Sequence, residues 1–280
     1  MKKNGWLIYR KEDVERNRYL IDQYITLASE LSLSLTLVYY EQLVLSFVSG
    51  QRQIIQQTGH ALPDFIIFRT IDPSMTEFLQ ALGIPVFNNA DVARICNDKW
   101  LTYGFASDCH VPIPDTVPYR FGEMPFAYPF IVKSTTGRGG KEVYLLKNEE
   151  DRERFDAKQS KALSWIAQPL TGRYGEDVRV FIVGDQIVAA VHRFSRTDFR
   201  SNYTLGGDVR PYPLQQKQIA ILQKVLKPLS FGAVGVDFLL DDHERFILNE
   251  IEDVVGSRSL YRTSSINFPL IYLNYIISQL

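Results

Sequence analysis

The stretch that most constrains this chain is Pro129 to Leu146, PFIVKSTTGRGGKEVYLL, in which two apolar runs, FIV and VYLL, flank a loop of small residues, glycine and cations. It reads as a strand, a flexible cradle and a second strand. Glycines at 137, 139 and 140 permit positive φ and close backbone approach, so several amide N–H groups can converge on phosphate oxygens. Lys133, at the end of the first run, adds a point charge, with Arg138 inside the loop. Glycine-rich loops also occur as plain basic hairpin turns, so the rest of the chain has to decide.

Composition narrows the classes. A chain of 280 residues can bury a sizeable core and divide into two domains or one with subdivisions. Its 31 basic and 32 acidic residues leave a net charge of −1, which argues against a nucleic-acid coat or a polybasic membrane anchor. Cys96 and Cys109 have neither the number nor the spacing of a metal cluster, and so few thiols point to a reducing compartment. The N-terminus lacks the apolar core of a signal peptide, and no run reaches the length of a membrane span. The expectation is a soluble cytoplasmic protein.

In the first third, Trp6–Tyr9, Leu35–Tyr40, Phe65–Phe68 and Pro85–Phe87 are short apolar runs separated by helical spacing such as Leu20, Tyr24, Leu27 and Leu31. Strands alternating with helices predict an α/β N-terminal open parallel sheet. Arg69 ends the third strand, where ligands gather in such sheets. Asn89 caps one predicted helix through DVARICNDKWLTYGFASDC, with Lys99 inside it. Prolines 112, 114 and 118 then make a stiff connection near a domain boundary.

After the glycine loop comes WIAQPL, a short strand in which Gln168 and Pro169 leave backbone groups free for an adenine edge. VRVFIVGDQIVAAVHRF reads as two strands turning at Gly184 and Asp185, which brings Arg179 and Arg193 near each other. SRTDFRSNYTLGGDVRP, with Arg196, Arg200 and Arg210, reads as a mobile anion-binding lid.

The hairpin Val234–Glu252, VGVDFLLDDHERFILNEIE, carries a carboxylate, Asp237, in an apolar strand, where an unpaired charge is costly. With a two-residue turn at Asp242 and His243, position 237 pairs with 248, and alternation puts Asp237, Leu248, Glu250 and Glu252 on one face. Three carboxylates together call for a cation, and magnesium wants such hard oxygens beside substrate phosphates. Alternatively, Glu252 is solvated and Asp237 meets one of the arginines. A slip of one residue would separate Asp237 from the glutamates.

The ordered set NDKWLT, FIVKSTTGRGGKEV, AQPL, EDVRVFIVGDQIVAAVHR, DFRSNYTLGGDV, GVDFLL and LNEIEDVVGSR resembles the RimK-type branch of the ATP-grasp carboxylate-amine ligases over about residues 60 to 260. The resemblance implies two α+β ATP-grasp lobes after the N-terminal sheet: 1–95 as the preceding α/β domain, 96–167 as the small lobe, and 168–280 as the C-terminal lobe with the metal site. It implies that Lys99 and Lys133 contact ATP phosphates under the loop of Gly137, Arg138, Gly139 and Gly140. Gln168, Pro169 and Leu170 would meet adenine, with Glu176 or Asp177 facing the ribose and Arg179 nearby. Asp237, Glu250 and Glu252 would hold magnesium, while Arg193, Arg200 and Asn202 would grip the acyl phosphate or carboxylate. Two departures stand out: Glu252 replaces the usual asparagine, and DVVGSRSLY replaces a short proline-containing turn, which reshapes the acceptor end around Arg258.

The reaction so implied makes an amide through an acyl phosphate, from small-molecule or peptide carboxylate and amine substrates. A ligase acting on a ribosomal precursor peptide, or a nucleotide-binding module without chemistry, are the alternatives. The apolar closing stretch Phe268–Leu280 permits a homodimer contact and equally fits docking onto the core.

Overall fold

The computed structural model describes residues 2–56, 61–201 and 207–280. Asn202, one of the expected catalytic residues, lies outside them. The chain opens with β1 (Lys3–Tyr9), α1 (Lys11–Val14), α2 (Arg18–Glu30), β2 (Leu33–Tyr39), β3 (Leu43–Val48), β4 (Gln51–Gln56), β5 (Phe65–Phe68), α3 (Pro73–Ala81) and β6 (Val86–Phe87). Strands β2, β1, β5 and β6 form one sheet in that order, with every pairing parallel. Its strands are buried on both faces: Leu7 and Tyr9 join one core, Trp6 and Ile8 another. Gly5 has no side chain because the Phe65 ring occupies that space, 2.3 Å from where a Cβ would stand. The β3–β4 hairpin, which the sequence pattern does not announce, stands apart as a two-stranded ribbon.

The single helix expected after Asn89 is two helices, α4 (Ala90–Cys96) and α5 (Lys99–Asp108). Asn89 caps the first by accepting from the Val92 amide at 2.9 Å. Asp98 starts the second by accepting from Trp100 N at 2.8 Å and Leu101 N at 3.3 Å. A side chain that bonds its own downstream amides makes a better helix start than a helix interior. Lys99 thereby becomes the first residue of a helix rather than a residue within one.

Past the prolines, β7 (Val117–Pro118), β8 (Phe130–Ser134), β9 (Val143–Leu146), α6 (Glu149–Lys158) and β10 (Trp165–Pro169) make an antiparallel sheet ordered β7-β10-β8-β9. Tyr119, Phe130, Val132, Phe155 and Trp165 fill its own core.

The last third contains β11 (Glu176–Val183), β12 (Gln186–Phe194), β13 (Asp208–Pro211), α7 (Gln216–Leu226), β14 (Ala233–Leu240), β15 (Phe246–Glu252), α8 (Arg258–Thr263) and α9 (Phe268–Gln279). Its antiparallel sheet runs β13-β12-β11-β14-β15. Val178 and Val180 face α7 through Leu222 and Val225, together with Val92 and Ala106 from α4 and α5. Phe181 and Val183, on the other face, share a core with Phe268 and Tyr272 of α9 and with Leu7, Tyr24 and Ile67 of the N-terminal unit. The apolar excess of α9 therefore goes into docking. The end of the expected lid is strand β13, where Arg210 donates to His192 Nδ1 at 3.0 Å. Among the described residues no helix is long and apolar enough to cross a membrane.

Candidate active site

The acidic hairpin departs from the expected register and still assembles an acidic face. Leu240 pairs with Phe246 and Phe238 with Leu248, one step away from the expected pairing of 237 with 248. The register then shifts, and Asp237 pairs with Glu250, Val236 with Ile251 and Gly235 with Glu252. Asn249 is the extra residue of a β-bulge, which restores the facing that the slip alone would have destroyed. Leu248 does not join that face: it is fully buried with Phe238 in the apolar core.

Cross-strand pairing carries the same face across the sheet, since Asp237 lies opposite Arg179 and Asp177 opposite Arg193. Arg179 grips Asp237 with two bonds, Nε to Oδ1 at 2.8 Å and Nη2 to Oδ2 at 2.7 Å. Its remaining nitrogen, Nη1, reaches Glu252 Oε2 at 2.8 Å. Arg193 donates to Asp177 Oδ1 at 2.6 Å and to Asp237 Oδ2 at 2.7 Å. Gly235 leaves room for this crossing, because a Cβ there would press on Val255 at 2.7 Å and on the Arg179 side chain at 3.4 Å. Burial opposes ionisation of Asp237, but the two guanidiniums outweigh it and hold the carboxyl below its ordinary range. Burial pushes Glu252 upward, with Arg179 opposing.

Asp237 is held differently from the other two acids of the expected metal trio. Both oxygens of Asp237 are occupied by arginine, and its side chain is 4% exposed. Among the described residues no three His, Cys, Asp or Glu side chains are gathered to hold a metal. Glu250 and Glu252 are more open than Asp237, with side chains 25% and 30% exposed, although Arg179 Nη1 also reaches Glu252.

The glycine loop lies between β8 and β9. Gly139 and Gly140 take positive φ, 61° and 72°. Gly137 is needed for another reason, since a Cβ there would meet the Glu142 carboxylate at 2.4 Å. Lys99 binds this loop twice, through its amide to Thr135 O at 2.8 Å and through Nζ to Gly137 O, and its Nζ lies 3.9 Å from Glu250 Oε1. Ser134 Oγ, at the root of the loop, is buried with no hydrogen-bond partner among the described residues. Lys133 is buried and donates to Tyr103 OH at 2.6 Å and Asn249 Oδ1 at 3.1 Å. Burial lowers its pKa to about 8 despite the nearby Glu250.

A cavity of about 890 Å³ joins the loop to the acidic face and runs on toward the N-terminal sheet. Lys99, Gly137, Arg138, Gly139, Arg179, Arg193, Glu250 and Glu252 all border it. Nine lysines and arginines line it against five carboxylates, a surplus that suits a polyanion.

Other expected residues stand elsewhere. Asp177 is buried and engaged by Arg193, whereas Glu176, partly exposed, meets His192 Nε2 at 3.1 Å. Pro169 does not interrupt the ladder with β8, pairing with Phe130. The open edge is the one toward β7, whose pairing stops at Ala167. Gln168 Nε2 is held by Thr116 Oγ1 at 2.7 Å, and neither it nor Leu170 lines the cavity. Arg200 also lies outside it: paired with Asp198, it donates to Gly140 O at 2.7 Å and latches lid to loop.

The cavity has contributors that sequence reasoning did not single out. Asp253 and Tyr261 border it, and Asp253 Oδ1 and the Tyr261 hydroxyl are buried with no hydrogen-bond partner among the described residues. Burial raises the Asp253 carboxyl to about 6. The signal for Asp253 was a third acid in EIED; Arg10, which also borders the cavity, directly follows the first strand. Arg69, noted at its strand end, is buried and lines the cavity.

Residues 116–276 match the family model of a RimK-like ATP-grasp domain. N-acetylaspartylglutamate synthase A from Mus musculus is 29% identical over 276 residues, 90% of this chain and 72% of that protein. A solved RimK domain ATP-grasp protein from Sphaerobacter thermophilus is similar with a TM-score of 0.75 at 18% identity, covering 97% of this chain and 98% of its own. D-alanyl-alanine synthetase A from Vibrio cholerae gives 0.73 at 12% identity, over 99% and 98%. The two solved structures bear on the fold alone.

Proposed function

The chain belongs to the RimK-like ATP-grasp family, and from that premise we propose that it is an ADP-forming ligase joining a carboxylate to an amine. The carboxylate attacks the γ-phosphate of ATP, ADP leaves, and the amine then displaces phosphate from the acyl phosphate to give an amide. The observation that carries this reading is the single cavity in which the glycine loop and Lys99 approach Glu250 and Glu252 beside the guanidiniums of Arg179 and Arg193.

Catalysis here rests on positioning and charge neutralisation, with no covalent nucleophile. Lys99 and the loop of Gly137 to Gly140 would cover the phosphates, Lys133 would reach them from the end of β8, and Arg193 would meet the acyl phosphate. The open β10 edge beyond Ala167 supports adenine contact at Gln168 to Leu170. Glu250 and Glu252 would hold magnesium, which when bound neutralises phosphate charge. The separate strand sets of the three larger sheets support the division into 1–95, 96–167 and 168–280. The substrates are small molecules or peptides, and the ATP requirement with two unbridged thiols supports a cytoplasmic setting.

The test is ADP release across paired carboxylic acids, amino acids and short peptides. Turnover that requires both an acid and an amine is expected. ATP binding with no turnover on any pair would reduce the protein to a binding module.

A further inference from the structure

Lys133, the expected phosphate contact on β8, is retracted. It is 4% exposed, and neither it nor Gln168, Pro169 or Leu170, the expected adenine contacts, borders the cavity shared by Lys99, the glycine loop and the acidic face. Its Nζ is taken up by Tyr103 OH at 2.6 Å and Asn249 Oδ1 at 3.1 Å. The Tyr103 hydroxyl donates its one proton to Asn249 O at 2.8 Å, so toward Lys133 it can only accept. Strand β8, helix α5 and the bulge of β15 thus meet at one ammonium.

The partners are neutral, and that decides what the junction can do. Arg179 and Arg193 commit their charges to Asp237 and Asp177, whereas no carboxylate among the described residues stands in ion-pair reach of Lys133. Burial works against the uncompensated ammonium and lowers its pKa to about 8. A buried cation with neutral acceptors is held in place but lacks a countercharge, which a phosphate supplies along with its hydrogen bonds. The fold sets both acceptors. Tyr103 lies one turn after Lys99 on α5, so the helix face that brings Lys99 to the loop brings Tyr103 to Lys133. Asn249 stands where the register shift of β14 and β15 puts it.

We propose that Tyr103 and Asn249 form an autoinhibitory latch, holding Lys133 away from the cavity until ATP phosphates replace them as its acceptors. The inference rests on the nucleotide half of the ligase reading above. While the latch is shut, only a fraction of the molecules is ready for ATP, and the apparent affinity falls by that fraction. Removing an acceptor destabilises the latched form alone and therefore tightens ATP binding. Structural damage at a buried residue loosens binding instead, so the sign of the change separates a latch from a packing role.

Calorimetric titration of the full chain with ATP and magnesium gives the test. Tyr103→Phe, which keeps the ring and loses the hydroxyl, is expected to lower the ATP Kd about tenfold, the effect of one hydrogen bond to a charged group. Asn249→Ala, which removes the second acceptor, is expected to move Kd in the same direction and carries the test if Tyr103→Phe does not fold. In a Lys133→Met background neither change should move Kd, because the latch has lost its cation. Unchanged or weaker ATP binding by a folded variant, or the same tightening in the Lys133→Met background, would overturn the latch. Absence of ATP binding by the wild-type chain would overturn the latch and the ligase reading together. Tightening as stated, with no turnover on any acid and amine pair, would overturn the ligase reading and leave the latch standing.

Discussion

Asp237 and Glu250 stand directly opposite each other across the β14–β15 ladder, although the strands leave their turn one residue out of the register that would align them. The bulge at Asn249 makes the correction. The bulged residue also supplies the acceptors that hold Lys133 and Tyr103, its Oδ1 at 3.1 Å from Lys133 Nζ and its carbonyl at 2.8 Å from the Tyr103 hydroxyl. One inserted residue thus turns the two acids to the same side and ties the third sheet to the base of the glycine loop.

Glu250→Gln should lower ADP release by about two orders of magnitude or more, since it removes charge where phosphate negative charge is to be balanced. The side chain is partly exposed, and among the described residues its ion-pair partner, Lys99 Nζ, stands 3.9 Å away, so melting temperature should stay close to wild type. Steady-state kinetics beside a thermal melt checks both; undiminished turnover would remove Glu250 from the metal site.

Asp237→Ala should act mainly on stability. It leaves Arg179 and Arg193 buried without their shared acceptor, and breaking a buried pair in this way costs about 3–5 kcal/mol. Urea unfolding measures this. A variant as stable as wild type that has lost turnover would restore Asp237 to the role of metal ligand.

Arg200→Ala should loosen the glycine loop, because Arg200 holds the Gly140 carbonyl while anchored by Asp198. The expected result is an ATP KM raised by about tenfold with faster proteolytic cleavage in the loop, both measured on the purified variant. A defect confined to the carboxylate substrate would place Arg200 on that substrate instead.

Lys133 gives a pH dependence whose sign follows from its burial. An unfolded lysine keeps its proton to about 10.5 and the buried one only to about 8, so the unfolded chain binds more protons between these values and native stability rises with pH across that window. Below about 8 both forms are protonated and the burial penalty is complete. Nucleotide capture moves the opposite way: kcat/KM for ATP should fall as pH rises through about 8, when the cation is lost. Lys133→Met should remove that inflection in a pH–rate profile.

Periodicity and residue type made much of the scaffold legible. The runs at Trp6–Tyr9 and Phe65–Phe68 needed only their branched and aromatic side chains and the helical spacing between them to announce a parallel sheet, because burial on both faces admits little else. The Gly137–Gly140 loop was legible for a similar reason, as glycine takes positive φ most readily at 139 and 140 and at 137 leaves room for Glu142.

What the sequence did not settle are choices made between distant segments. Whether Asp237 meets a metal or a guanidinium depends on which strand lies beside β14, and β11 brings Arg179 to it through a pairing some sixty residues long in the chain. The bulge at Asn249, the latch from Arg200 to Gly140, and the meeting of Arg69 with the wall that carries Asp253 have the same origin. Local propensity is written residue by residue, so the sequence determined the elements and their chemical inventory. The partners of its charges were decided by the tertiary structure, because a buried ion takes whichever opposite charge packing delivers within hydrogen-bond reach.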